Sequence, residues 1–195
     1  VVTDMYGDNL PLGRGNPLSD TMIMTIDAPP RPAAGVRYYW RARVYDLYDG
    51  SWSSTLTNVQ SLTPDNFDLP FPEFEGRSTG SFTIKTSFPI QNLNTPAQPV
   101  WVSRPVQAQL AVSPDGTVDL ALLKATPLLR AGEVYQVQAS LTSATIAQLR
   151  ASGTDYPDWV AARYLQLPGT ITPRTRQLAQ QIAAGLDNPY DIAQE

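Results

Sequence analysis

The side chains that most often carry catalysis are missing from this chain, which has no cysteine and no histidine. Without them there is no thiolate nucleophile, no imidazole base and no Cys/His zinc site. Neither a Ser-His-Asp nor a Cys-His-Asp triad can form. Any chemistry would have to use Asp, Glu, Lys, Tyr, Ser or Thr. We therefore expect no catalytic residue, no metal site and no cofactor in this chain.

Carboxylates are the remaining candidates, and two groups of them are considered. Asp46 and Asp49 precede Gly50, but two aspartates supply too few oxygens for calcium and the spacing is not that of an EF-hand, so we expect a solvated turn. The second group lies in a proline-rich stretch and comprises Asp65, Asp68, Glu73 and Glu75. Paired carboxylates can hydrolyse glycosides once a fold brings them together. We expect an exposed charged loop here and keep a hydrolase as a third interpretation.

One segment combines aromatic and basic side chains, and its alternation predicts a β-strand over residues 36–45. One face would belong to the core rather than to an aromatic platform for sugars: Val36, Tyr38, Trp40, Ala42 and Val44. The other face would form a possible interaction surface: Arg37, Tyr39, Arg41, Arg43 and Tyr45. An arginine row fits either a solvated face that protects a sheet edge or an interface with another domain.

The other elements indicate a mainly β fold. Beside 36–45, strands are expected over residues 22–26, 81–88, 106–112, 117–123 and 133–141. Phe82, Ile84 and Phe88 are expected to point inward, and Ser113-Pro114-Asp115-Gly116 has the composition of a hairpin turn. Residues 63–80, rich in proline and glycine, are expected to form a loop. These features predict an antiparallel β-sandwich, with an immunoglobulin-like or fibronectin-like arrangement as one form of it.

After residue 141 the apolar period becomes helical. Short helices are expected over residues 143–152, 157–163 and 172–184, with Thr172 capping the last and Pro173 in its first position. Its buried side is predicted to consist of Leu178, Ile182 and Leu186, and Gly185 is placed to end it. Arg174 and Arg176 oppose the helix dipole in its first turn, which suggests a partner elsewhere. The sequence thus divides into an irregular segment 1–17, a β-sandwich 18–141 and a helical junction 142–195.

The end of the chain predicts a continuation. Asn188-Pro189-Tyr190-Asp191 begins another helix only a few residues before Glu195, and so short a helix is marginal alone. The chain also begins without Met and without the pattern of a signal peptide. We expect it to be a piece of a longer protein.

Charge and hydropathy exclude some partners. Charged residues make up 16% of the chain and its net charge is −4, with no basic stripe for nucleic acid and no polybasic patch for a membrane. No apolar run approaches the roughly 18 residues of a membrane span. We expect this part of the protein to be soluble by itself.

Two stretches resemble bacterial membrane-anchored transglutaminase-like enzymes, whose catalytic core is papain-related. The first comprises Tyr39-Trp40-Arg41 and Asp46-Leu47-Tyr48-Asp49-Gly50-Ser51-Trp52. The second comprises Tyr156-Pro157, Arg163-Tyr164-Leu165-Gln166-Leu167-Pro168, Leu178-Ala179 and Asn188-Pro189-Tyr190-Asp191. In that family the second stretch leads directly into the core.

The resemblance implies a non-catalytic scaffold on the extracytoplasmic face of the bacterial cytoplasmic membrane. It would position or gate a downstream core of the same chain, whose Cys, His and Asp lie beyond Glu195. The parent would be membrane-anchored and act as an acyltransferase or a cysteine protease. No catalytic residue carries over to this part.

A second resemblance supports an alternative in another class. Tyr38-Tyr39-Trp40-Arg41-Ala42-Arg43-Val44 and Gly50-Ser51-Trp52-Ser53 are similar to the late strands of a fibronectin type III domain. That resemblance implies a free-standing module for adhesion or carbohydrate binding.

Overall fold

A computed structural model of the protein describes residues 7–11, 20–31, 37–71, 76–96 and 98–195. In these ranges the strands are β1 (Asn9–Pro11), β2 (Met24–Asp27), β3 (Trp40–Arg41), β4 (Leu47–Tyr48), β5 (Ser51–Ser53), β6 (Asn58–Leu62), β7 (Arg77–Thr86), β8 (Ile90–Asn92), β9 (Thr95–Pro96), β10 (Gln98–Val102), β11 (Val106–Val112), β12 (Val118–Leu129) and β13 (Val134–Thr142). The helices are α1 (Ile146–Ala151), α2 (Asp158–Tyr164), α3 (Pro173–Ala183) and α4 (Pro189–Gln194).

Two antiparallel sheets form the body of the fold. One has the strand order β10-β13-β7-β2 and the other the order β6-β11-β12-β8. Both contribute side chains to one core, whose buried members include Phe82, Ile84, Ala108, Leu123 and Val137. The predicted fold, mainly β with an antiparallel sandwich and short C-terminal helices, is confirmed.

Aromatic side chains anchor this core. Tyr38 and Trp40 pack edge-to-face against Phe82, with ring centroids 5.1 and 5.4 Å away, as predicted for core residues. Tyr135 is buried, and its hydroxyl donates to the carbonyl of Asn94 at 2.8 Å and accepts from the backbone N–H of Asn94 at 3.1 Å. Burial raises the pKa of Tyr135, while the hydrogen bond to Asn94 opposes that rise.

Strand β12 is buried on both faces: one faces the main core and the other a small second cluster. The predicted hairpin with β11 forms, with a bulge between Gln109 and Leu110 in the register. Ala121 and Leu122 of β12 belong to a second small cluster with Leu56. The backbone N–H of Val44 donates to the carbonyl of Ala121 at 2.9 Å, so the segment before β4 lies alongside β12 at its edge.

The predicted continuous strand over 36–45 is wrong. Only Trp40 and Arg41 form a strand, which pairs with β9, while Arg43 makes an isolated bridge to Leu122 of β12. Because the segment changes partner within three residues, it cannot keep one flat alternating face. Val36 lies outside the described residues.

Three smaller predictions also need correction. Asn9–Pro11 of the supposedly irregular segment 1–17 forms β1 against β5; residues 1–6 and 12–17 lie outside the described ranges. The predicted loop over 63–80 ends earlier, because β7 starts at Arg77. Phe88 is 36% exposed instead of inward-facing, since β7 ends at Thr86 and the chain bends there.

The helices begin and end close to the predicted positions. Thr172 Oγ1 accepts a hydrogen bond from the backbone N–H of Thr175 at 3.2 Å, and Pro173 opens α3. Gly185 follows α3 with a φ of +81°, a conformation that favours glycine. The predicted buried side of α3 is wrong for Leu178 and Ile182, which are 54% and 43% exposed, while Leu186 is half-buried and follows the helix.

Candidate functional site

A short charged contact joins helix α2 to strand β12. Asp119 follows Val118 and precedes Leu120 in β12, so the alternation of the strand puts its carboxylate on the face opposite the core. Arg163 and Tyr164 end α2, and Arg163 Nη1 and the Tyr164 hydroxyl each donate to Asp119 Oδ2 at 2.6 Å. Hydrogen bonds to an ionised partner are stronger than neutral ones. The contact therefore fixes α2 against the sheet.

Asp46 lies beside this contact and is only 4% exposed. Its carboxylate accepts hydrogen bonds from the backbone N–H of Thr55 at 2.7 Å and from the Thr55 hydroxyl. Arg163 Nε is 3.9 Å from that carboxylate, and Gln166 Nε2 donates to the carbonyl oxygen of Asp46 at 2.9 Å. A buried carboxylate needs such partners. The predicted solvated turn is therefore wrong for Asp46. It is correct for Asp49, which is exposed in the turn before β5.

We name Arg41, Asp46, Asp119, Arg163 and Tyr164 the junction cluster. Burial lowers the pKa of Arg41, and attraction to Asp119 opposes that change. Burial, and then the hydrogen bond donated to Asp119, raise the pKa of Tyr164. Tyr164 therefore remains a protonated donor at neutral pH. Two arginines and two aspartates lie together in the cluster. The cluster holds charge in balance and is suited to fixing an orientation.

A second contact attaches the first turn of α2. Trp159 Nε1 donates to Asp115 Oδ2 at 3.3 Å, and Arg163 Cζ lies 5.6 Å from the centre of the Trp159 ring. Trp159 and Arg163 are four residues apart, so they share one helix face. Asp115 is held by the backbone N–H and hydroxyl of Thr117, at 3.0 and 2.7 Å, and these hydrogen bonds lower its pKa. One face of α2 therefore rests on the β11–β12 hairpin.

Helices α1 and α4 are tied to each other at the surface. Arg150 Nε donates to both carboxylate oxygens of Asp191, at 2.9 and 3.1 Å. Asn188 caps α4, because its Oδ1 accepts from the backbone N–H of Asp191 at 2.9 Å. The hydrogen bond from the Asn188 side chain and the contact with Arg150 lower the pKa of Asp191.

The helical segment exposes apolar side chains. All four helices lie within the described ranges, and none of them contains a buried residue. Leu178 and Ile182 lie four residues apart on one face of α3, and we name them the α3 apolar face. Leu165 and Leu167, between α2 and α3, are 58% and 65% exposed. Such exposure concentrated in one segment is typical of surfaces that meet another protein part.

The predicted interaction surface is divided by the fold. Arg37 and Tyr39 are exposed, Tyr39 to 76%. Arg43 is 6% exposed and pairs with Asp8 at 2.7 Å, while Arg41 and Tyr45 are half-buried. The prediction of one five-residue face is therefore wrong for Arg41, Arg43 and Tyr45. The cause is the change of strand partner described above.

Asp119 is the site residue that the sequence analysis missed. A single carboxylate inside the apolar run Val118–Leu123 is the signal that could have found it, since Asp is seldom buried without a partner. Arg163, Tyr164 and Gln166 were noted only as part of a resemblance, with no role. Their contacts with residues more than 40 positions away depend on the tertiary fold.

The carboxylates of the proline-rich stretch are described only in part. Asp65 and Asp68 are exposed, and Glu73 and Glu75 lie outside the described residues. Among the described residues, no group of three or more Asp, Glu, His or Cys side chains could hold a metal ion. In the junction cluster, Asp119 and Asp46 already accept hydrogen bonds from neighbouring side chains, which suits them to a structural role.

Comparison of the chain with protein-family models, with curated proteins and with solved structures finds no match. Within the described ranges, every helix is too short or too polar to cross a membrane.

Proposed function

We propose that this chain is a non-catalytic adaptor, in which the β-sandwich orients the helical segment for docking of a transglutaminase-like core of the same protein. The observation that carries the proposal is a contrast inside that segment. Helix α2 is fixed to the sandwich by the junction cluster, while the α3 apolar face has no cover among the described residues. The α2 end of the helical segment is thus fixed to the sandwich, while the α3 apolar face is free to bind a partner.

The junction cluster supports a transglutaminase-like core as the docking partner, because it joins the two stretches that resemble those enzymes. Asp46 begins the run Asp46–Trp52 of the first stretch, and Arg163 and Gln166 belong to the second. Arg163 Nε is 3.9 Å from the Asp46 carboxylate, and Gln166 donates to its carbonyl oxygen at 2.9 Å. The two stretches that carry the resemblance therefore contact each other in the fold, as expected if they act together.

Charge adds a second argument for a partner at α3. Arg174 and Arg176 lie in the first turn of α3, where the helix dipole disfavours cations. No ion pair involving either arginine occurs among the described residues. An acidic surface on the docked core would compensate both, and burial of the neighbouring leucine and isoleucine would add about 1 kcal/mol or more per side chain.

In this proposal the adaptor works outside the cytoplasmic membrane in a membrane-anchored parent protein. The sandwich supplies rigidity, α2 transmits its orientation, and α3 with α4 receives the core. Displacing α2 would move the docking surface relative to the sandwich, so the same device can position the core or gate access to it. The reaction of the core, acyl transfer or peptide hydrolysis, does not depend on residues of this adaptor.

The test measures binding between this chain and the separately produced core. Leu178→Asp is expected to weaken binding at least tenfold, because a charge replaces an apolar contact at the centre of the docking surface. Val59→Asp is the matched control, since Val59 is 61% exposed on the sandwich strand β6. Equal binding by both variants would reject docking on α3.

Removing the sandwich tests the scaffolding role separately. The extracytoplasmic region with and without residues 1–150 should differ in stability and in turnover of an acyl or amide substrate. An isolated core with unchanged activity and stability would remove the scaffolding claim. Turnover of such a substrate by this chain alone would refute a non-catalytic role.

A carbohydrate-binding module is the second candidate, favoured by one observation. Tyr39 is 76% exposed beside a groove of about 290 Å³ whose lining includes Pro30, Arg37 and Tyr38. Exposed tyrosine rings can stack on sugars. Specific binding on a glycan array that Tyr39→Ala abolishes would support this candidate, and binding that survives the substitution would reject it.

A further inference from the structure

A cleft with mostly apolar walls lies between strand β2 and residues 40–45, away from the α3 apolar face. Its volume is about 430 Å³, within the range of small-molecule sites. The walls include Leu10, Ile23, Met24, Ile26 and Trp40. Leu10 and Ile23 are 38% and 42% exposed, so the cleft offers apolar surface to solvent.

Arg43 lies in this cleft and is incompletely paired. Its side chain is 6% exposed, and its Nε has no hydrogen-bond partner among the described residues. Nη2 lies 2.7 Å from Asp8 Oδ1, but Asp8 is 95% exposed and contacts Arg43 through one oxygen. The guanidinium Cζ lies 6.0 Å from the centre of the Tyr45 ring. A buried guanidinium N–H without an acceptor is unusual in a folded protein.

The open position has a defined chemistry. Guanidinium groups bind carboxylates through two parallel N–H donors, and Nε with Nη2 forms one such edge. Asp8 occupies only the Nη2 half of that edge. Nε has almost no exposed surface, so a ligand carboxylate would reach it by displacing Asp8 and shifting the guanidinium toward the cleft. Bound there, it would satisfy Nε and take the place of Asp8 on Nη2.

Arg41 adds to the attraction for an anion. It lines the same cleft, and burial lowers its pKa because the charged form is poorly solvated there. Because Asp119 already attracts Arg41, an anion inside the cleft would be stabilised mainly by Arg43 and more weakly by Arg41.

The apolar surface continues past the cleft. An adjoining cavity of about 20 Å³ shares Ile23, Met24 and Asn94 with it, so an alkyl chain would lie across the mouth of this cavity, between Ile23 and Phe88, and not inside it. Phe88 is 36% exposed at this end. Away from residues 41–45, the polar side chains of this lining are Asn94 and Thr86. A flexible unbranched chain therefore fits the surface better than a peptide, most of whose amide groups would lack hydrogen-bond partners there.

We propose that the cleft binds an aliphatic carboxylate, with the carboxylate on Arg43 and the alkyl chain along Ile23 and Met24. Asp8 is the side chain that the ligand displaces. This binding site is independent of the proposed docking of a core on α3.

Titration calorimetry of the full chain with decanoate tests the proposal, with decanol as the uncharged ligand of equal chain length. Decanoate should bind at least tenfold more tightly than decanol, since only the carboxylate can pair with Arg43. Asp8→Asn should tighten decanoate binding severalfold by removing the competing carboxylate. Asp65→Asn is the control, because it makes the same charge change at an exposed position elsewhere and should leave binding as in the unmodified chain.

Two variants of the cleft complete the test. Arg43→Lys keeps the charge but loses the Nε donor, and should weaken decanoate binding tenfold or more; circular dichroism and urea unfolding show whether it folds. Ala42→Leu narrows the cleft and should weaken decanoate and decanol alike. The proposal is overturned if decanoate fails to bind, if decanol binds equally well, or if Asp8→Asn and Asp65→Asn behave alike. Tighter binding of a short peptide ending in leucine than of decanoate would also overturn it.

Discussion

The sandwich and the helical segment bury their apolar side chains to very different degrees. In the sandwich, Phe82, Ile84 and Tyr135 are at most 1% exposed and pack between two sheets. In the helical segment, Leu178 and Ile182 are about half exposed, and no helix has a buried residue. The sandwich therefore contains its own source of stability, whereas the helices lack a core of their own.

The difference shows how the two regions are joined. Hydrophobic burial is strong but gives little direction, while paired charges fix geometry and contribute less net stability. The contacts of α2 with the sandwich are largely of the second kind, through Asp119, Asp46 and Asp115. They set the direction of the helices without covering their apolar side chains.

Core substitutions give the largest expected difference between the regions. Phe82→Ala should lower the free energy of unfolding by about 3–5 kcal/mol, since it removes a buried ring and its contacts with Tyr38 and Trp40. Leu178→Ala should change it by less than about 1 kcal/mol, because that side chain is already half exposed. Urea unfolding measures both. A loss at Leu178 as large as at Phe82 would mean that α3 is packed in the isolated chain.

Breaking the link between the regions should have an intermediate effect. Arg163→Met is expected to cost about 2 kcal/mol, because Asp119 and Asp46 lose their cationic partner in a partly buried site. Arg150→Met is the control, since Arg150 pairs with Asp191 at the surface, where ion pairs contribute little. Similar unfolding midpoints for the two variants would show that the junction cluster does not hold α2.

Alkaline pH should distinguish the regions through their tyrosines. Tyr135 and Tyr164 have pKa values raised above about 10, the usual value. Their protonated forms thus stabilise the fold below about pH 10, and this stability is lost as pH rises further. In urea unfolding across that pH range, the free energy of unfolding should fall less steeply with pH in Tyr135→Phe than in the unmodified chain. Tyr164→Phe should change this pH dependence less than Tyr135→Phe does, because Tyr164 is partly exposed. A larger change for Tyr164→Phe would contradict the deeper burial of Tyr135.

Acidic pH should have the smallest effect, through the lowered pKa values of Asp191, between α1 and α4, and of Asp115, in the β11–β12 turn. The pKa of Asp191 is lowered by Asn188 and Arg150, so its stabilising contribution is present above about pH 4 and is lost as pH falls further. Hydrogen exchange measures this as a protection factor, the exchange rate of an amide in the unfolded chain divided by its rate in the folded chain at the same pH. Protection in α4 should fall as pH decreases before protection in β13 does. In Asp191→Asn, the protection of α4 should no longer change with pH in this range.

Much of the fold could be predicted because local rules determine it. The β11–β12 hairpin follows from Ser113-Pro114-Asp115-Gly116, and α3 from Thr172, Pro173 and Gly185. The segment 36–45 could not be predicted, because its alternation is real but its residues pair with two different strands. The exposure of Leu178 escaped prediction for a related reason: an apolar stripe indicates that a face can be buried, and not that this chain buries it.

The candidate site was less predictable than the fold. Its members come from 41–46, from β12 and from α2, and only tertiary packing brings Asp119 to Arg163. The sequence marked Arg163 and Asp46 through a resemblance, without relating them. Arg43 was expected on an open face, and its burial appeared only with the three-dimensional position of Asp8 and Tyr45.

Hydrogen–deuterium exchange is the most direct measure of whether the helical segment is anchored at one end and open at the other. In this chain alone, amides of α2 should be protected and those of α3 should exchange rapidly. In the proposed parent protein, where a transglutaminase-like core belongs to the same chain, α3 should become protected while the exchange of β7 and β13 stays unchanged. Equal protection of α3 with and without the core would contradict the account.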